Sequence, residues 1–225
     1  GIERVLTLNT PNGKTQNVLL NADLVMCLDF GSYGRLEDLG TMVRGLQVPM
    51  VVIDHHPDMQ EPQWNGVVSC GGWVTDVLEK NPLVRNIIIV GTSDELISQI
   101  PVHLREKVLF YSQDEIDHHQ AWPSKAGRLI HEPVYISIDK DVLRKHDAVT
   151  DWSNGDMSLL RLQAVLRIIY AHEEVIGVDI TGECSATLDY LSETRNAEIN
   201  NRANAELMKM ILAEEQQTHT NQKRE

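Results

Sequence analysis

Six short runs of apolar residues recur along the chain, and they constrain its fold more than any other feature. The runs cover residues 24–28, 50–53, 87–90, 108–111, 134–138 and 175–180. Because most of them show no polar alternation, they are typical of strands that are covered on both faces of a parallel sheet. Helical patterns lie between the runs, so strands and helices alternate. The sequence therefore predicts an α/β domain of three layers, in which a mainly parallel sheet lies between two layers of helices.

A second pattern, with apolar residues every three or four positions, marks the helices. It is clearest over residues 158–172, where Leu162, Val165 and Leu166 fall on one face. Ser158 stands where an N-cap residue would begin that helix. The same approach predicts further helices over residues 36–46, 73–79 and 197–214.

Length and composition indicate a single domain. A chain of 225 residues, 42% hydrophobic and 24% charged, is long enough to bury one sizeable core. We predict one domain over residues 1–213. Residues 214–225 contain no apolar side chain, so we expect them to form a disordered tail.

Net charge and cysteine content indicate which binding partners and which cellular compartment to expect. A formal net charge of -13 argues against a nucleic-acid polymer, since such binding depends on clustered Lys and Arg. We expect a small-molecule substrate, and the negative charge would favour a cationic one. Three cysteines without paired spacing indicate a reducing compartment, and no apolar run is long enough to span a membrane. We therefore expect a cytoplasmic protein with no membrane partner, and a homo-oligomer stays open.

Acidic residues directly follow two of the apolar runs. Asp54, His56 and Asp58 come after the second run, and Asp139 and Asp141 come after the fifth. On an extended chain alternate side chains point the same way, and parallel strands present their carboxyl ends at one edge of the sheet. Four carboxylates and one imidazole suit Mn²⁺ or Mg²⁺ better than a structural Zn²⁺. These five residues are therefore candidate metal ligands.

A polar cluster without a metal is the alternative, because an Asp-x-Asp segment is often a solvated turn. A metal is favoured because burying four carboxylates at the ends of apolar strands is costly unless a cation compensates their charge. Residues 117–119 are an internal control, since they repeat the Asp-His-His of residues 54–56 but follow a polar stretch. We expect a solvated helix end or loop there.

Residues 54–58 and 137–141 resemble two motifs of the arginase, agmatinase and deacetylase-like ureohydrolase superfamily. That superfamily carries Asp-x-His-x-Asp after one strand and Ser-x-Asp-x-Asp after a later one. Residues 69–73 resemble its glycine-containing segment, and residues 177–183 resemble a later strand that leads to an acidic residue. The likeness covers about residues 49–212. It implies an arginase-like fold and hydrolysis of a carbon–nitrogen bond in a guanidino or amide-like small molecule.

The resemblance also implies roles for individual residues. Asp58 would carry a proton to the leaving amine, and Glu183 would bind the cationic end of the substrate. One or two Mn²⁺ ions, with Mg²⁺ and Zn²⁺ less favoured, would activate a water. The ligands of these ions would be Asp54, His56, Asp58, Asp139 and Asp141.

Two positions depart from the family pattern. Gly34 stands where a further His ligand is expected, so the site would have five of the six family ligands. Trp73 lies near the position where arginases carry a catalytic His. A catalytically weak member of the arginase fold is therefore an alternative.

The first sixty residues also resemble part of a DHH-type phosphoesterase. In that family an Asp that ends one strand and an Asp-His-His that ends the next share a two-metal site. Here Asp29, Asp54 and His55 would be the ligands, and the reaction would be phosphoester hydrolysis. The family's downstream Gly-Gly-His segment is not matched by Gly71-Gly72-Trp73. This hypothesis is the second alternative.

Overall fold

A six-stranded parallel sheet forms the centre of the structure, a computed structural model. The structure describes residues 26–28, 50–61, 69–80, 86–118, 133–185 and 190–222. All neighbouring strands pair in parallel, in the order β1-β6-β5-β2-β3-β4. Each of the six predicted runs forms a strand. The strands are β1 (Met26–Leu28), β2 (Met50–Ile53), β3 (Ile87–Val90), β4 (Val108–Tyr111), β5 (Val134–Asp139) and β6 (Val175–Thr181).

Helices cover both faces of this sheet. They are α1 (Trp73–Lys80), α2 (Asp94–Gln99), α3 (Val102–Arg105), α4 (Gln113–His118), α5 (Leu159–His172) and α6 (Tyr190–Gln222). Successive residues of a strand point to opposite faces. In β2, Val51 and Ile53 therefore join the apolar core under α5 and α6, whereas Met50 and Val52 join a second core under α1 and α3. The predicted three-layer α/β fold is confirmed.

Helix α5 follows the pattern that predicted it. The Oγ of Ser158 accepts a hydrogen bond from the backbone N–H of Arg161 (3.2 Å), which satisfies one of the free donors of the first turn. Leu162, Val165 and Leu166 are fully buried against the sheet. The cap and the apolar face together define where this helix begins and which side it buries.

Helix α6 extends beyond its predicted end. We expected a disordered tail from residue 214, but α6 continues to Gln222. Its buried apolar residues pack on α5, and Glu214 lies 3.8 Å from Arg167 of that helix. Glu, Gln and Lys are good helix formers, and a helix already fixed by packing is extended at little cost. The absence of apolar residues therefore did not end the helix.

Residues 117 and 118 lie at the exposed end of α4, as expected for the control tripeptide, and His119 lies outside the described residues. The helix predicted over residues 36–46 also lies outside them. Within the described segments, no helix has both the length and the apolar character that a membrane span requires.

Candidate metal centre

The carboxyl ends of β2, β5 and β6 lie side by side at one edge of the sheet. In the register of these strands, Ile53 pairs with Ile138, and Asp139 pairs with Thr181. The residues that follow each strand therefore emerge next to one another. Asp54 and Asp141 are both only 2% exposed, so their carboxylates are held inside the protein.

Three of the five predicted ligands converge directly. Asp54, His56 and Asp141 each offer one ligand atom, and these atoms all lie within 4.8 Å of one another. The Nδ1 atom of His56 lies 2.7 Å from Oδ2 of Asp141 and 4.0 Å from Oδ1 of Asp54. Two carboxylates and an imidazole are a donor set that hard or borderline divalent cations accept.

Backbone N–H groups orient these carboxylates. The N–H of His56 donates to Oδ1 of Asp54 (2.7 Å), and the N–H of His55 donates to Oδ1 of Asp141 (3.2 Å). The N–H of Asp141 donates to Oδ1 of Asp139 (2.9 Å). Each acid is therefore fixed by the segment that follows a strand, which is the kind of support that positions metal ligands.

Asp58 is held by its backbone and by α1. Its φ of 48° lies in the left-handed region, which only a few non-glycine residues adopt. The indole N–H of Trp73 donates to Oδ2 of Asp58 (2.7 Å), and the backbone N–H of Val74 donates to its carbonyl (3.1 Å). The family resemblance placed Trp73 only near the position where arginases carry a catalytic His. Its hydrogen bond to Asp58 is an additional contact that sequence reasoning missed.

Asp139 is held from the side of β6. The hydroxyl of Thr181 donates to Oδ2 of Asp139 (3.2 Å). Gly182 follows with a φ of 83°, and a Cβ atom at that position would clash with the Asp139 carboxylate. A glycine is therefore needed both for the backbone conformation and for the close approach of the two strand ends.

Burial, and then mutual repulsion, raises the pKa values of these carboxyl groups. Burial, with repulsion from neighbouring acids, raises the pKa of Asp54 well above its usual value, that of Asp58 to about 8 and that of Asp139 to about 7. The pKa of His56 is raised chiefly by its hydrogen bond to Asp141. Such shifts mean that the buried negative charge is poorly compensated. A divalent cation would supply that compensation, so charge and donor chemistry both fit a metal site.

Asp58 and Asp139 interact electrostatically with Asp54, but they are not part of the group whose ligand atoms lie within 4.8 Å of one another. Among the contacts that the sequence did not indicate is Ser153, whose Oγ lies 2.9 Å from Nε2 of His56. Ser153 lies in the Trp-Ser-Asn-Gly turn downstream of β5, and the only signal in the sequence was the turn itself.

Glu183 is already bound by groups of the chain. Its Oε1 accepts hydrogen bonds from Lys140 and from Asn204 (3.0 Å), and its Oε2 accepts one from Asn200 (2.6 Å). Desolvation raises the pKa of Glu183, but the hydrogen bonds and the charge of Lys140 outweigh it and hold the pKa below its usual value. The carboxylate, whose side chain is 27% exposed, is therefore ionised and paired with groups of the chain.

The position of β1 argues against a phosphoesterase site. Strand β1, which ends just before Asp29, lies at the edge of the sheet and is separated from β2 by β5 and β6. Strands about 4.8 Å apart put the ends of β1 and β2 about 14 Å from each other, too far for neighbouring strand ends to share one site. Asp29 and Gly34 themselves lie outside the described residues. The DHH hypothesis is not supported.

Comparison with known proteins decides the family. The sequence matches the family model described as the Arginase family over residues 32–212. The chain belongs to the arginase family. An uncharacterized protein of Thermotoga maritima is 34% identical over 137 residues, which are 60% of this chain and 47% of that protein. This arginase-family chain therefore spans about half the length of its curated relative.

Solved structures show the same fold at low identity. The agmatine ureohydrolase of Thermoplasma volcanium superposes with a TM-score of 0.67 at 18% identity, over 91% of this chain and 67% of that one. The formiminoglutamase of Trypanosoma cruzi, in a structure with Mn²⁺, superposes with a TM-score of 0.62 at 17% identity, over 83% and 65% of the two chains. These neighbours agree with the predicted arginase-like fold.

Proposed function

We propose that this arginase-family chain is a Mn²⁺-dependent hydrolase that cleaves a carbon–nitrogen bond in a guanidino or amide-like small molecule. The observation that carries the proposal is the convergence of Asp54, His56 and Asp141 at the ends of two buried strands. Related folds include an agmatine ureohydrolase and a formiminoglutamase with Mn²⁺, which supports both the metal and the bond type.

Different residues of this chain would have different roles in the reaction. Asp54, His56 and Asp141, together with Asp58 and Asp139, would hold one or two ions. Bound Mn²⁺ would make a water acidic enough to act as nucleophile near neutral pH.

Asp58 is suited to move a proton, because burial and neighbouring acids raise its pKa to about 8 and the Trp73 N–H fixes one of its oxygens. With an ion bound, the Asp58 carboxylate would accept the proton that the activated water loses and pass it to the leaving amine.

Elemental analysis of matched variants tests the metal assignment. Asp139→Ala and Asp141→Ala should lower the Mn²⁺ content strongly after dialysis against Mn²⁺. Asp117→Ala is the control, since it removes an exposed carboxylate from the repeated tripeptide at the end of α4. Equal Mn²⁺ content in all three variants would refute the metal assignment.

A screen for released ammonia or urea, with guanidino and amide compounds as substrates, tests the reaction. Activity that depends on Mn²⁺ and is lost in Asp141→Ala would support the hydrolase. Mn²⁺ binding without turnover of any compound would favour the alternative, a catalytically weak member of the fold.

A cytoplasmic location and a homo-oligomer stay predictions.

A further inference from the structure

A buried lysine lies between two of the candidate metal ligands. Lys140 is 1% exposed, and it is flanked in sequence by Asp139 and Asp141. Its side chain does not pair with either neighbour. It extends instead to the carboxylate of Glu183, the first acidic residue after β6.

The Lys140–Glu183 pair lies next to the strand ends that carry the candidate metal centre. Gly182 precedes Glu183, and a Cβ atom there would be 2.8 Å from the backbone nitrogen of Lys140. Thr181, two residues before Glu183, donates to Asp139. Glu183 is thus tied to the same group of strand ends as the candidate ligands.

Both oxygens of Glu183 have partners inside the chain. Lys140 and Asn204 occupy Oε1, and Asn200 occupies Oε2. A cationic substrate would have to displace the buried ammonium or approach a carboxylate whose charge is already neutralised. Displacing one partner of a buried ion pair is unfavourable because it leaves an uncompensated charge inside the protein.

We propose that Lys140 takes the place of a substrate cation at Glu183, so that the site accepts an uncharged, amide-like group there and discriminates against a guanidinium. Lys140 is then a specificity-determining residue. The inference rests on the proposed hydrolase and narrows its substrate class from guanidino or amide-like compounds to the amide-like ones.

Binding of agmatine, measured by calorimetric titration with and without Mn²⁺, tests this role without requiring turnover. Lys140→Met removes the charge and keeps the aliphatic stem. It should bind agmatine about tenfold more tightly than the native chain or better, because a charge-assisted hydrogen bond to Glu183 becomes available. The double variant Lys140→Met/Glu183→Gln should lose that gain. Lys145→Met is the control, because it removes an equal charge from an exposed position and should leave agmatine binding unchanged.

Lys140→Gln guards against a folding defect, since its amide can still donate to Glu183 while the charge is gone. If Lys140 only ties the strand ends to α6, both variants will lower the thermal unfolding midpoint without any gain in agmatine binding. That result in a folded variant, or equally tight binding by the native chain, would overturn the inference.

If the proposed hydrolase function is wrong, the native chain and every variant will bind no Mn²⁺ or release no ammonia. A gain in agmatine affinity that depends on Glu183 would stand in either case, because the titration measures binding alone.

Discussion

The affinity for Mn²⁺ should rise steeply between pH 6 and pH 8. The pKa of Asp58 is raised to about 8 and that of Asp139 to about 7, mainly by burial and then by neighbouring charges. At pH 6 both carboxyl groups therefore hold a proton in the metal-free protein. A cation that binds the carboxylates must displace these protons, so affinity is low below the two pKa values and increases as pH rises through them.

The expected size of this rise in Mn²⁺ affinity follows from the two pKa values. Between pH 6 and pH 8 the ionised fraction rises about 50-fold for a group with a pKa of 8 and about 10-fold for one with a pKa of 7. If both groups contact the ion, the apparent affinity should rise by at least about 500-fold, because the raised pKa values of Asp54 and His56 add to the effect. Asn is nearly isosteric with Asp and tolerates the left-handed φ of residue 58. Asp58→Asn should therefore remove the contribution of about 50-fold that Asp58 makes and leave a shallower rise.

Calorimetric titration in buffers with different heats of ionisation measures both the affinity and the protons released. Asp117→Asn, at an exposed position, should reproduce the native pH profile. An affinity that changes less than about 5-fold from pH 6 to pH 8, without proton release, would refute the reasoning. An unaltered pH profile in Asp58→Asn would show that Asp58 does not contact the ion, but it would not exclude Asp139.

Three further substitutions test contacts around the site. Trp73→Phe keeps an aromatic side chain but removes the N–H that donates to Asp58, and should weaken Mn²⁺ binding about 10-fold in a titration; unchanged affinity would contradict a role for that hydrogen bond. Asn200→Ala removes the three hydrogen bonds of a buried side chain and should lower the free energy of unfolding in urea by about 3 kcal/mol; a loss below about 0.5 kcal/mol would show that these bonds are not needed. Burial raises the pKa of Asp179 to about 7, so its contribution to stability is present below pH 4 and is lost as pH rises through 7. Asp179→Asn should therefore stabilise metal-free protein by about 2 kcal/mol or more at pH 8 and have little effect at pH 4, which urea unfolding at the two pH values would reveal.

The sheet and the position of the acidic cluster could be predicted from local sequence. An apolar run without polar alternation is unfavourable outside a strand that is covered on both faces, so the runs at β2 and β5 predicted buried strands of a parallel sheet. Parallel strands then bring their carboxyl ends to one edge whatever their order. Asp54 and Asp141, which are 87 positions apart in the chain, lie together because β2 and β5 are also neighbours in the sheet, and the sequence did not predict that pairing.

The side-chain partners could not be predicted in the same way. The bond from Trp73 to Asp58 depends on how α1 packs against the loop after β2, and the apolar pattern of α1 does not reveal where its indole N–H points. Asn200 lies on a helix whose polar residues give no sign of which are buried. Contacts between segments follow from tertiary packing, which residue spacing does not encode.

The buried acids of the candidate metal centre and the partly buried Glu183 are compensated in different ways, and the contrast supports an external cation. Glu183 is neutralised by Lys140, and its pKa lies below the usual value as a result. Among the described residues, no lysine or arginine pairs with Asp54 or Asp141, and His56 is their ion-pair partner. The pKa of Asp54 stays well above its usual value despite that partner, because burial and the other carboxylates oppose ionisation. A chain that supplies its own cation to one carboxylate but leaves the neighbouring cluster short of positive charge is suited to take up a divalent ion at that cluster.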